Sequence, residues 1–263
     1  MRTCSFRYTK PRDLTETIRA LDEGGALLAG GQSLVPMMKL RFAAPDHLVD
    51  INALQELKGI ELRPDGGLRI GALARHREVA ESPLIRKLVP HLAKAASLIG
   101  DVQVRNRGTI GGSLCLADPK ANYPPVLISL GAGATLRGPK GERLVPVEEL
   151  FVGPFQNSLA RNEILTAVEI PASRAGSWGD YREVMVQPGG LRLVNVGVTV
   201  SSDSVGIGVG GLGPKSLRLT AVERTLKGQQ LSRDVIVRAL DRFDGGGVEL
   251  TDDFDAPARR NHR

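Results

Sequence analysis

Two short stretches carry residue types that could hold a charged ligand. One is Leu27-Leu28-Ala29-Gly30-Gly31-Gln32-Ser33-Leu34; the other is Gly108-Thr109-Ile110-Gly111-Gly112-Ser113. Each pairs two glycines with a following serine. Glycines let main-chain N–H groups converge on an anion without a Cβ in the way, and a hydroxyl adds a rotatable donor. Two such loops could clasp the phosphates of a pyrophosphate from opposite sides. Read singly, each is more simply a tight turn. Read together, with a short helix expected after the first, they point to a nucleotide cofactor.

Neither stretch has the G-x-x-x-x-G-K-[ST] pattern of nucleoside triphosphatases. Neither has G-x-G-x-x-G after a strand with an acidic residue about 20 positions on. Acid–base and metal candidates are sparse. The four histidines, His47, His76, His91 and His262, show no metal-ligand spacing, and no G-x-S-x-G elbow occurs. Each histidine reads as an exposed or locally bonded side chain. Cys115 lies in an apolar stretch and reads as buried packing rather than a nucleophile. No catalytic residue and no metal ligand is therefore expected, which suits chemistry done by a bound cofactor.

The elements that must position these loops follow from the rest of the chain. It has 263 residues, 41 % of them hydrophobic and 24 % charged, a soluble globular composition. Glycine is in excess: 31 residues, against roughly 18 at average usage. No apolar run approaches the ~18 residues of a membrane span, and the start lacks the apolar stretch of a secretory signal. Cys4 and Cys115 are too few for a disulfide framework or a cluster site, so a reducing cytoplasm is expected. The net charge is +6, but the basic residues are scattered with few aromatics among them, which argues against nucleic acid.

A first helix is expected over residues 13–22, with Asp13 and Glu16 as a capping pair. Short strands are expected at 26–29 and 48–51, with a short helix from Pro36 between them. A hairpin is expected at 60–63 and 68–73 around Pro64-Asp65-Gly66-Gly67, then a helix over 90–99. Residues 105–113 read as dense turn chemistry. Strands are expected at 134–137, 143–147 and 164–170, and again at 191–200 and 205–212, the last interleaved with glycines. Thr220 and Glu223 could cap a helix ending near Gly228. Ser232 could cap another through Phe243, with Val235, Ile236, Ala239, Leu240 and Phe243 facing inward. The irregular mixture argues for an α+β fold rather than a doubly wound sheet. The boundaries predicted are a domain over 1–173, a second over 178–250 and a polar tail over 251–263.

The segments Leu28–Pro36, Leu48-Val49-Asp50-Ile51, Arg105–Ser113 and Ala117-Asp118-Pro119, in this order and spacing, resemble the FAD-binding medium subunit of molybdenum hydroxylases. This family includes subunits of carbon monoxide, xanthine and N-heterocycle dehydrogenases. The resemblance covers roughly residues 4–228; Gly210-Gly211-Leu212-Gly213-Pro214 with Arg218 and Glu223–Gly228 resembles its C-terminal domain. It implies an FAD-binding domain of the vanillyl-alcohol-oxidase type, made of two α+β subdomains. A small α+β domain with a three-stranded antiparallel sheet would follow.

The resemblance also implies residue roles. Leu27, Leu28, Ala29, Gly30, Gly31, Gln32, Ser33 and Leu34 would form the first pyrophosphate loop. Thr109, Ile110, Gly111, Gly112 and Ser113 would form the second. Ile99 and Leu165 would meet the cofactor. Asp118 would either bond the ribityl hydroxyls or stabilise the turn before Pro119. Asn122 stands where the family usually has an acidic residue, Glu183 where it often has lysine, and Gln187 where it often has arginine. A lysine at 183 would favour negative charge on the reduced cofactor; a glutamate directed inward would oppose it. The end, with Asp252-Asp253-Phe254-Asp255, departs from the family's basic, apolar helix.

The function implied is electron transfer. Partner subunits would carry the molybdopterin centre and two [2Fe–2S] clusters, in a dimer of heterotrimers. FAD in this chain would pass electrons to an external acceptor such as NAD, oxygen, a quinone or a carrier. The alternatives are a stand-alone FAD oxidoreductase and a structural subunit without flavin.

Overall fold

The structure, a computed structural model, describes residues 3–186 and 192–241. Its first layer is a three-stranded parallel sheet of β1 (Arg7–Thr9), β2 (Ala26–Leu28) and β3 (His47–Asp50), in the order β1-β3-β2. Helix α1 (Leu14–Asp22) connects β1 to β2. Asp13 caps it by accepting the Glu16 N–H, as the sequence predicts. The Glu16 carboxylate, however, accepts from the Arg12 N–H rather than from the cap residue. Helix α2 (Leu34–Lys39) links β2 to β3. Ala20, Val49, Ile51, Leu54 and Leu57 form the core beneath this sheet.

The second layer is an antiparallel sheet of β4 (Ile60–Leu62), β5 (Leu68–Gly71), β6 (Gly133–Gly138), β7 (Gly141–Pro146) and β10 (Ile164–Ile170), ordered β4-β5-β10-β6-β7. The two-residue-register hairpin of β8 (Phe151–Gly153) and β9 (Gln156–Asn157) lies between β7 and β10 in the chain. Between β5 and β6 run α3 (His76–Glu81), α4 (Pro83–Leu88), α5 (Pro90–Ser97), α6 (Val102–Arg107), α7 (Ile110–Leu116) and α8 (Tyr123–Ser129), and α9 (Val147–Leu150) follows β7. Leu68, Ile70, Leu92, Ile110, Leu114, Leu127 and Val168 are fully buried in the core between sheet and helices. At full burial each such side chain contributes about 1.5–3 kcal/mol of hydrophobic stabilisation.

The third sheet is antiparallel and has four strands, not three: β11 (Trp178–Met185), β12 (Arg192–Val200), β13 (Val205–Gly210) and the two-residue β14 (Leu217–Arg218). The extra strand is short because only Gly208–Arg218 and Val209–Leu217 pair. The glycines of β13 let α8 lie directly on the sheet. A Cβ on Gly206 would stand 2.0 Å from the Ser129 carbonyl oxygen, and one on Gly208 2.1 Å from that of Pro125.

Two helices follow, and both depart from expectation. Helix α10 (Thr220–Leu226) starts at a Leu219 cap position without a side-chain cap. The Glu223 carboxylate instead accepts from the Ile207 N–H at 2.7 Å and from Arg218 Nε at 2.9 Å. Helix α11 (Arg233–Asp241) is capped by Ser232, which accepts the Val235 N–H. Ala239 is buried, but Ile236 and Leu240 are 39 % and 49 % exposed. Phe243, Leu191, Gln187 and the tail over 251–263 lie outside the described residues. Among the described residues, no helix is long and apolar enough to cross a membrane.

Candidate functional site

A cavity of about 520 Å³ opens where β2 ends, α7 begins and the chain turns from α7 into α8. That volume is in the range of small-molecule and cofactor sites. Every residue expected at the site lines it except Ile110. Ile110 is 0 % exposed and packs in the core, because the helix that starts there turns its side chain inward. Asp118 is the one carboxylate among the described lining residues, against Lys120 and Arg192. The walls are otherwise mostly apolar, with Leu27, Ile51, Leu73, Ile99, Ile164 and Leu165 among them.

The first loop leaves β2 at Ala29 and turns through Gly31, whose φ of +72° suits glycine. Among the described residues, no acceptor takes the main-chain N–H of Gly30, Gly31, Gln32, Ser33 or Leu34. Ser33, at the start of α2, makes no side-chain cap bond. The segment therefore offers the cavity a run of unsatisfied donors, which is what an anion needs.

The second loop is different from the expected turn. Thr109 caps α7, its hydroxyl accepting the Gly112 N–H at 3.0 Å. The Ile110 N–H donates to the Ala74 carbonyl at 3.0 Å and the Gly111 N–H to that of Ala72 at 2.9 Å. Those donors are spent on holding α7 against the segment after β5. Both glycines line the cavity and neither has room for a side chain: a Cβ on Gly111 would fall 2.7 Å from the Cβ of Ala72, and one on Gly112 2.8 Å from Thr109 Oγ1. The second loop thus supplies a close-fitting wall, with Ser113 as its hydroxyl, rather than a matching set of free N–H groups.

A polar clamp joins the loops. Asn52, just after β3, donates from Nδ2 to the Ala29 carbonyl at 2.8 Å. Arg75 Nη2 donates to Asn52 Oδ1 at 2.6 Å, and Arg75 Nη1 donates to the Arg107 carbonyl. Burial and the neighbouring Arg107 lower the Arg75 pKa from its ordinary value. The sequence reading missed both residues, since neither stands in a glycine segment.

At the other end, Asn122 and Glu183 touch. Asn122 Nδ2 donates to Glu183 Oε2 at 3.2 Å, Tyr181 OH donates to the same oxygen at 2.9 Å, and Asn195 Nδ2 donates to Tyr181 OH at 3.1 Å. Arg192 donates to Asn122 Oδ1, and its Nε lies 3.7 Å from Glu183 Oε2. Glu183 does not line the cavity; Arg192 does. The concern that a glutamate would face the ligand does not arise in this geometry.

The remaining residues sort simply. Asp118 Oδ1 accepts the Lys120 N–H at 2.9 Å, so it stabilises its own turn while also lining the cavity. Between Leu165 and Ala167 the register of β10 against β6 shifts, and both Ile164 and Leu165 reach the wall. Cys115 is half-buried there, and burial pushes its thiol up to about 12. His76 also lines the cavity; burial lowers its pKa to about 4, and its Nδ1 lies 2.9 Å from Tyr123 OH. It is a neutral, hydrogen-bonded ring. Among the described residues, no three His, Cys, Asp or Glu side chains are placed to hold a metal ion.

Residues 4–173 match the family described as FAD binding domain in molybdopterin dehydrogenase. The chain is 35 % identical over 245 residues to the carbon monoxide dehydrogenase medium chain of Hydrogenophaga pseudoflava, covering 90 % of this chain and 85 % of that one. It is 36 % identical over 239 residues to the nicotine 6-hydroxylase medium subunit of Paenarthrobacter nicotinovorans, covering 88 % and 83 %. Solved structures are similar as well. Carbon monoxide dehydrogenase from Hydrogenophaga pseudoflava superposes with a TM-score of 0.89 at 35 % identity, covering 96 % of this chain and 90 % of that one. Quinoline 2-oxidoreductase from Pseudomonas putida 86 gives 0.87 at 29 % identity, covering 97 % and 90 %.

Proposed function

Because the chain belongs to the family of FAD binding domains in molybdopterin dehydrogenases, we propose that it holds FAD in the cavity between its two glycine loops and acts there as an electron-transfer relay. It is the FAD-binding medium subunit of a molybdenum hydroxylase, an oxidoreductase with further subunits. The observation that carries the site assignment is the run of unsatisfied N–H groups from Gly30 to Leu34 at the mouth of a cavity with a positive balance of charge. A diphosphate fits that donor set.

When bound, FAD supplies two-electron chemistry that no side chain here could. The chain's own residues bind and orient it. Leu27–Leu34 would receive the pyrophosphate, and Thr109, Gly111, Gly112 and Ser113 would close against it. Ile110 would act only by anchoring α7. Ile99 and Leu165 would pack against the cofactor, with Asp118 and Asn122 as polar neighbours. With the cofactor seated, the apolar wall would limit water beside it. Such a relay needs no general acid or base, and neutral His76 is consistent with that.

The finer features belong to the same reading. A small [2Fe–2S] subunit would feed electrons in, a large molybdopterin subunit would oxidise substrate, and the assembly would be a dimer of heterotrimers. The FAD-binding domain would span 1–173 and the second domain 178–250. A reducing cytoplasm suits two unpaired thiols, Cys4 and Cys115. The test is reconstitution: purified chain, incubated with FAD and desalted, is expected to keep flavin absorbance at near one per chain. Loss of all flavin on desalting would remove the reading.

A further inference from the structure

Resting on the FAD reading, we propose that Arg192 sets the charge at the cofactor, with Glu183 as the buried counter-charge that holds it in place. Arg192 is the one described residue of the four-stranded sheet that lines the cavity. Its partner is arranged asymmetrically. The Glu183 side chain is 8 % exposed and sits behind the guanidinium, outside the cavity wall. Its Oε2 is held by donors from Asn122 and Tyr181 as well as by the nearby Arg192 Nε.

The guanidinium in turn is fixed by Asn122 Oδ1 and Glu183. No other acceptor for it exists among the described residues. An arginine carries five N–H donors in a planar fork, so this one, which lines the cavity, has donors that these two contacts do not take. The pair therefore presents a cation to the ligand and hides the anion. Asn122 is central: being an amide, it accepts from Arg192 and donates to Glu183 at once, which a carboxylate could not do.

A cation at the wall favours the cofactor state with more negative charge, which is the reduced one. A carboxylate behind it weakens that field, because the site is partly shielded from water. The signs are therefore opposite for the two partners. Arg192→Gln should bind FAD about tenfold more weakly, the loss of one charge-assisted contact, and lower its midpoint potential. Glu183→Gln should raise the potential. Arg192→Lys, which keeps the charge, should hold the potential near that of the unaltered chain. Asn122→Asp, which adds a negative charge without changing size, should lower it.

The experiment is an anaerobic spectroelectrochemical titration of the full chain reconstituted with FAD, alongside FAD affinity by flavin fluorescence. Opposite shifts for Arg192→Gln and Glu183→Gln support the proposal; if Glu183→Gln does not fold, lowered potentials in both Arg192→Gln and Asn122→Asp with an unshifted one in Arg192→Lys support it. Unchanged potentials in Arg192→Gln and Asn122→Asp, or shifts of one sign in Arg192→Gln and Glu183→Gln, overturn it while leaving the FAD site intact. Failure of the unaltered chain to retain FAD overturns the site reading itself, and this proposal with it.

Discussion

A Cβ on Gly30 would fall 2.3 Å from the carbonyl oxygen of Arg107, so the two glycine loops meet there backbone against backbone. Nothing flexible can yield at that point. Alanine at position 30 must push the loops apart, at about 1–3 kcal/mol for the overpacking. Gly30→Ala is expected to keep its far-ultraviolet circular dichroism and lose bound flavin by tenfold or more on desalting. Near-stoichiometric flavin in this variant would show that the loop spacing is not what holds the ligand.

The Asn52–Arg75 clamp should matter for the same spacing. Asn52→Ala strips a partner from the Ala29 carbonyl and from Arg75 at once. Leaving such groups unpaired costs about 1–3 kcal/mol. The expected result is a lower urea midpoint together with weaker FAD binding. Arg75→Lys should not rescue the clamp, because a single ammonium replaces a fork that reaches both Asn52 and Arg107.

Stability should fall on mild acidification. Burial lowers the pKa of His76 and of His91 from 6.5 to about 4. Between those values the unfolded chain binds more protons than the folded one, so unfolding becomes easier as pH drops from 6.5 toward 4. Each ring contributes on the order of 3 kcal/mol across that window as an upper bound. Urea unfolding at pH 7.5, 6 and 5 reads the slope. His76→Gln, which keeps a partner for Tyr123 but cannot take up a charge in this range, should flatten it.

The two thiols should separate by rate. Cys4 is exposed, whereas the half-buried Cys115 thiol is held up at about 12 by burial. Only a thiolate attacks a disulfide reagent. At pH 8 a disulfide reagent is expected to modify Cys4 quickly and Cys115 slowly, with bound FAD slowing Cys115 further. Equal rates would mean that Cys115 is not shielded as described.

Legibility in the sequence followed how local each determinant is. The Asp13-capped helix and the β4–β5 hairpin are coded by residues a few positions apart, and both formed as read. The glycine pairs located the cavity, because their spacing is visible in one stretch. They did not reveal that Thr109 begins a helix, since two glycines within it argue against one until Ala72 is seen to demand Gly111. Thr220 and Glu223 look like a capping pair, yet Glu223 is taken by Ile207 and Arg218 from the neighbouring sheet. Ile236 and Leu240 lie on the helical face expected to be buried, yet both are exposed. Asn52, Arg75 and Arg192 left no signal, because each matters only through partners brought from distant parts of the chain.

The wall contributed by Arg192 also fixes a time. The first free N–H groups of the cavity lie near residue 30 and its last described wall at residue 192. Synthesis runs from the N-terminus at about 5–20 residues per second. The first glycine loop therefore leaves the ribosome about 8–32 seconds before Arg192, and the second about 4–16 seconds before it. Through that interval the nascent chain carries an apolar-lined half-site, and the cavity is complete only when the third sheet arrives.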